Sequence, residues 1–137
     1  MPKHMWTSAC AVAALVAMQA TAFAQDPTIG NATATKNRVE GVVGSKTEPI
    51  AKGTNLYSNE VVRTGNASVA DLKFIDDSTM NIGSISEIKL DKFVYDPGGS
   101  GAVIIKATKG AFRFVTGTQV HKAYEIKTPH GTLGIRG

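Results

Sequence analysis

From Arg38 onward apolar and polar residues alternate in short runs, and no later stretch repeats with a helical period. Ala70-Asp-Leu-Lys-Phe74 is the clearest case. Its apolar side chains fall on one face with period two, which predicts a half-buried strand. Asp76-Asp77-Ser78 predicts a turn held by Asx hydrogen bonds, and Met80 and Ile82 resume the inward face on a return strand. Gly83-Ser84 turns the chain again, after which Ile88 and Leu90 continue the core ahead of Phe93 and Tyr95. Asp96-Pro-Gly-Gly-Ser-Gly101 is the plainest loop, and four strand-length runs follow it, at 102–108, 111–116, 120–128 and 132–135. This rhythm predicts one all-β domain of short strands over 38–137, built either as a sandwich or as a short β-solenoid-like coil. Residues 25–37 are rich in Thr, Ala, Asn and Gly, lack apolar periodicity, and are expected to form a flexible leader.

The first 24 residues follow a different pattern. Lys3 and His4 make a short basic start, Ala9 to Ala20 is a hydrophobic run, and Ala22-Phe23-Ala24 is an A-x-A site. Together they predict a signal peptide over 1–24, cleaved after Ala24, and a protein of the periplasm or the secreted space. The apolar run falls short of the ~20 residues a membrane span needs, so no transmembrane segment is expected in the mature chain. The single cysteine, Cys10, lies inside that run, which leaves neither thiol nor disulfide chemistry after cleavage. Net charge is +4, with Lys3 supplying one of the positive charges. The remaining bases are scattered among acids rather than clustered as phosphate binding requires, so nucleic acid is not an expected partner.

Chemistry-bearing patterns are sparse. A calcium loop counted from Asp76 puts Glu87 at its last ligand position, but Met80 and Asn81 occupy places that need an oxygen ligand and a glycine. His121 and His130 have no cysteine or carboxylate motif beside them to complete a zinc site. Gly98-Gly-Ser-Gly101 has neither the leading strand nor the following helix of a nucleophile elbow. Asp76 and Asp77 are sequence neighbours at a strand end, where their side chains diverge. No catalytic, metal or cofactor residues are therefore assigned, and the chain is read as non-enzymatic.

Several residues remain as candidates for structure or for interaction. Arg63 is placed to hydrogen-bond a neighbouring turn or to pair with Asp76 or Asp77. Gly53, Gly65, Gly83 and Gly110 sit between strands, where positive φ favours glycine. Thr128-Pro129 fits a strand edge or bend. Arg136, between glycines at 134 and 137, suits either a clamp on a buried carboxylate or contact with a partner. With no helix to cover the sheets, an open edge is expected to recruit a partner strand or a second copy.

These residues carry a resemblance. In order along the chain stand Gly53 and Leu56, Val62-Arg63-Thr64-Gly65, Ser68-Val-Ala70, Phe74-Ile-Asp-Asp-Ser78 and Met80-Asn-Ile-Gly83. Gly110-Ala-Phe-Arg-Phe114, Thr128-Pro129 and Gly134-Ile-Arg-Gly137 follow. Their order and spacing resemble the FecR-type domain, from about Val39 to the final glycine. Two departures stand out: Asp77 replaces the glycine of the family's Asp-Gly-Ser turn, and the chain stops where the family continues with threonine and another strand. The resemblance implies a β-rich domain lacking its last strand, with a sensing or protein-interaction role in the bacterial envelope. Its partner would be an envelope protein or a cell-envelope polymer. The anti-sigma region and membrane helix that precede this domain in iron-uptake regulators have no counterpart residues here, so sigma-factor antagonism is not implied. The alternative is a structural domain of a larger secreted protein.

Overall fold

The computed structural model describes residues 27–96, 101–119 and 123–134. Strands β1 (Thr28–Lys36), β2 (Val39–Val43), β3 (Lys46–Pro49), β4 (Asn55–Tyr57), β5 (Val61–Thr64) and β6 (Val69–Phe74) make up the first half. The second half holds β7 (Thr79–Ile82), β8 (Glu87–Val94), β9 (Ala102–Lys109), β10 (Phe112–Val115), β11 (Tyr124–Thr128) and β12 (Gly131–Gly134). No α-helix occurs among the described residues, and none is long and apolar enough to cross a membrane. The signal-peptide assignment and the middle of the Asp96–Gly101 loop lie outside the described residues.

The alternation read at Ala70–Phe74 sets the packing. Ala70, Leu72 and Phe74 of β6 are buried, and antiparallel pairing puts Leu72 opposite Met80 and Ala70 opposite Ile82 of β7. The chain then passes repeatedly between two sheets. One has the order β10-β7-β6-β1-β4 and the other β12-β11-β9-β8-β5-β2-β3. All pairings are antiparallel except β9 with β11, between which the chain visits the opposite sheet as β10. The two sheets share one core, in which the Phe74 ring stacks on Phe93 with centroids 5.2 Å apart and Phe114 lies 5.6 Å from Tyr124. Of the two all-β arrangements expected, this is the sandwich.

Residues 28–36 are not a flexible leader. They form β1, which lies inside the five-stranded sheet between β6 and β4. Small residues and a register shift between Ala32 and Ala34 hide its period, although Ile29 and Ala32 are buried. At Gly30 a Cβ would stand 2.3 Å from the Lys73 carbonyl oxygen, so only glycine lets β1 approach β6 so closely. A second shift, between Lys89 and Lys92 of β8, moves the buried face from Leu90 to Phe93 and leaves Tyr95 exposed.

Candidate functional site

The expected turn at Asp76-Asp77-Ser78 exists, but Asp76 is much more than a turn former. It is fully buried. Its Oδ1 accepts the Ser78 backbone N–H at 2.9 Å and also the Ser78 hydroxyl. Its Oδ2 accepts the Tyr124 hydroxyl at 2.7 Å and Gln119 Nε2 at 3.0 Å. The Asp76 carbonyl accepts the Thr118 N–H at 2.8 Å and the Thr118 hydroxyl at 3.1 Å, and a Cβ at Gly117 would stand 1.9 Å from that same oxygen. Burial works against charge on Asp76, yet the donors from Ser78, Tyr124 and Gln119 outweigh it and hold the carboxyl below its usual value. Burial and the bond to Asp76 push the Tyr124 hydroxyl up to about 12.

With both oxygens occupied, Asp76 clasps the β6–β7 turn to the segment leading into β11. Four donors fill the lone pairs of a carboxylate, which leaves none for acid–base exchange with a substrate. Gln119 and Tyr124 were not singled out in the sequence. Tyr124 carried only an apolar-run signal, and Gln119 none, because their pairing with Asp76 spans more than 40 positions.

Asp77 adopts φ 65°, the left-handed conformation in which the resembled family places glycine. Aspartate tolerates this region better than most residues, and Lys73 Nζ lies 3.6 Å from its carboxylate. Arg63 pairs with neither aspartate. It faces Glu87 across the β5–β8 ladder at 3.3 Å, because Arg63 and Glu87 are register partners.

Thr64 and Gly65 join a second polar cluster around the β7–β8 turn. Thr64 Oγ1 donates to the Gly83 carbonyl at 2.6 Å and accepts the Ser86 N–H at 2.9 Å. Gly65 N–H donates to Arg38, and its carbonyl accepts Ile85 N–H at 3.1 Å. Ser86 Oγ accepts Ala111 N–H at 3.2 Å, beside Gly110 at φ 93°. Positive φ was expected at Gly65 and Gly83 as well. There the constraint is space instead, since a Cβ would meet Arg38 Cβ at 3.2 Å or the Ala111 carbonyl at 3.3 Å.

Thr128-Pro129 opens the β11–β12 hairpin. Thr128 Oγ1 donates to the Gly131 carbonyl at 3.0 Å and accepts His130 N–H at 3.3 Å, so the threonine stitches the turn. Arg136, Gly137 and His121 lie outside the described residues. Among those described, no three His, Cys, Asp or Glu side chains gather as a metal site requires.

The described motif residues thus divide into separate structural clusters at different turns and do not converge on one pocket. No curated protein and no solved structure matches the chain. The family model described as FecR protein matches residues 60–137, which span β5 to the last glycine and make up more than half of the sequence, and the chain therefore belongs to the FecR family.

Proposed function

We propose that this protein is an exported, non-enzymatic FecR-domain module that acts in the bacterial envelope by binding another envelope protein or a cell-envelope polymer. FecR is a regulatory and signalling family rather than a family of enzymes. Export rests on the basic start, hydrophobic run and A-x-A site of the first 24 residues.

The observation that carries the binding role is the free side of β10. Among the described residues each sheet ends on strands paired along one side only, β10 and β4 in one and β12 and β3 in the other. The edges differ in how well they are guarded. β3 is blunted by its proline and by the Lys46–Glu48 ion pair, and β4 spans only three residues. β10 carries Phe112-Arg-Phe-Val115, has no proline, pairs only with β7 and leaves Val115 half exposed. An extended partner segment adding beside β10 would gain main-chain hydrogen bonds and apolar contact.

The test is site-specific cross-linking in living bacteria. A photoreactive residue at Arg113 should capture one and the same envelope component repeatedly, and Val115→Lys should suppress that capture by charging the edge. The exported protein should begin at Gln25. A protein retained in the cytoplasm with Met1 intact, or cross-links indifferent to Val115→Lys, would overturn the reading.

A further inference from the structure

Edge strands β3 and β4 border a cavity of about 170 Å³ at one side of the sandwich. Val43, Pro49 and Ile50 give it apolar walls, Lys46 and Glu48 stand at its rim, and Glu60 lies at its inner end. The rim residues are well exposed, whereas Glu60 is only 4% exposed.

Only one of the Glu60 carboxylate oxygens is used by the fold. Oε2 accepts the Tyr57 N–H at 2.9 Å, closing the turn between β4 and β5. Oε1 lies over Gly41, where a Cβ would approach it to 2.1 Å, and it accepts no hydrogen bond from the described residues. Both Glu60 and Gly41, against which Oε1 lies, line the cavity. Burial, with repulsion from Glu48 behind it, raises the proton affinity of Glu60, although the Tyr57 N–H opposes the change. Lys46, which lines the cavity, is already engaged, since its Nζ lies 2.7 Å from Glu48.

We infer that this cavity is a binding site for a primary alkylammonium group, with Glu60 Oε1 as its acceptor. A buried carboxylate with a spare acceptor gains most from a charge-assisted donor. The apolar walls suit a short methylene stem, as along a lysine side chain. The volume is below the ~300–1,000 Å³ of pockets that enclose larger ligands, which fits a small ligand such as one short unbranched chain. This site lies away from β10 and does not depend on the edge-binding role.

The test is a nuclear magnetic resonance titration of the full chain with butylammonium chloride, Nα-acetyl-lysine N-methylamide and, as a neutral control, 1-butanol. Both amines should shift the Gly41 and Tyr57 amides saturably, with Kd on the order of millimolar as expected for so few ligand atoms. Butanol should not. Glu60→Gln keeps an oxygen for the Tyr57 N–H while removing the charge, and should weaken amine binding about tenfold or more, a change of ~1.4 kcal/mol. Stronger binding of the capped lysine than of butylammonium would identify a polypeptide side chain as the source of the ammonium, and the reverse order a free amine. Equal shifts with butanol, no saturable shift with either amine, or unchanged affinity in a folded Glu60→Gln chain would each overturn the inference. The comparison of amine with alcohol needs no variant.

Discussion

The Tyr124 hydroxyl donates to the Asp76 carboxylate across 2.7 Å, and this one bond ties the start of β11 to the turn between β6 and β7. The same hydroxyl accepts the Gly117 N–H at 3.1 Å. Tyr124→Phe preserves the ring contact with Phe114 and removes both bonds. Leaving buried polar groups unpaired costs ~1–3 kcal/mol, so the variant should unfold at lower denaturant with an unchanged slope. Equal midpoints for variant and parent would show that the clasp adds nothing to stability.

The clasp also sets how stability responds to pH. A carboxyl held below its unfolded value contributes stability that is complete above the unfolded pKa of ~3.9 and is lost as pH falls through the lower folded one. Tyr124, raised to about 12, contributes stability that is complete below its unfolded pKa of ~10 and is lost as pH climbs toward 12. Thermal melts across pH should therefore show Asp76→Asn flattening the acid limb and Tyr124→Phe flattening the alkaline one. Variants that track the parent on both limbs would remove Asp76 and Tyr124 from the account.

Large-to-small changes on the inward face of β6 should be severe. Leu72 and Phe74 are almost wholly buried, and Phe74 stacks on Phe93 of the opposite sheet. Leu72→Ala and Phe74→Ala should each cost ~2–5 kcal/mol, against a typical domain stability of ~5–15 kcal/mol. Melting curves superimposable on the parent would mean the buried face is misassigned.

How much of this could be read from the sequence depends on how local the signal is. Strands with large alternating side chains, such as β6 and β7, were legible because period two and a flanking Asp-Asp-Ser turn are written within a dozen residues. β1 was not, because Gly30, Ala32 and Ala34 carry little apolar contrast and a register shift interrupts the alternation. The Asp76 turn was legible, whereas its partners Gln119 and Tyr124 lie more than 40 positions away, in the segment before β11 and at the start of that strand, and no spacing rule joins them. Arg63 was expected near the aspartates, but which residue stands opposite it is set by the register of β5 on β8.

The position of β1 gives a sharp test. It lies between β6 and β4, so its removal would leave β4 without a strand partner and β6 paired on one side only. A chain starting at Arg38 should fail to give a cooperative melt, whereas one starting at Gln25 should melt normally. Equal melting temperatures would show that β1 is dispensable and that 25–37 acts as the leader its composition suggested.

Ile85 offers a prediction in the opposite direction. It adopts φ 51° in the β7–β8 turn, a conformation that a β-branched side chain enters only under strain, and it is 55% exposed, so little burial offsets the cost. Left-handed backbone costs an L-residue ~1–2 kcal/mol, and glycine escapes it at an entropic cost of ~0.5–1 kcal/mol. Ile85→Gly should therefore stabilise the domain by about 0.5–1 kcal/mol, raising Tm by a few degrees. Ile85→Ala retains the Cβ clash and should leave Tm nearly unchanged. If glycine lowers Tm while alanine does not, chain entropy outweighs the strain. If both lower it, the Ile85 side chain contributes packing that its exposure conceals.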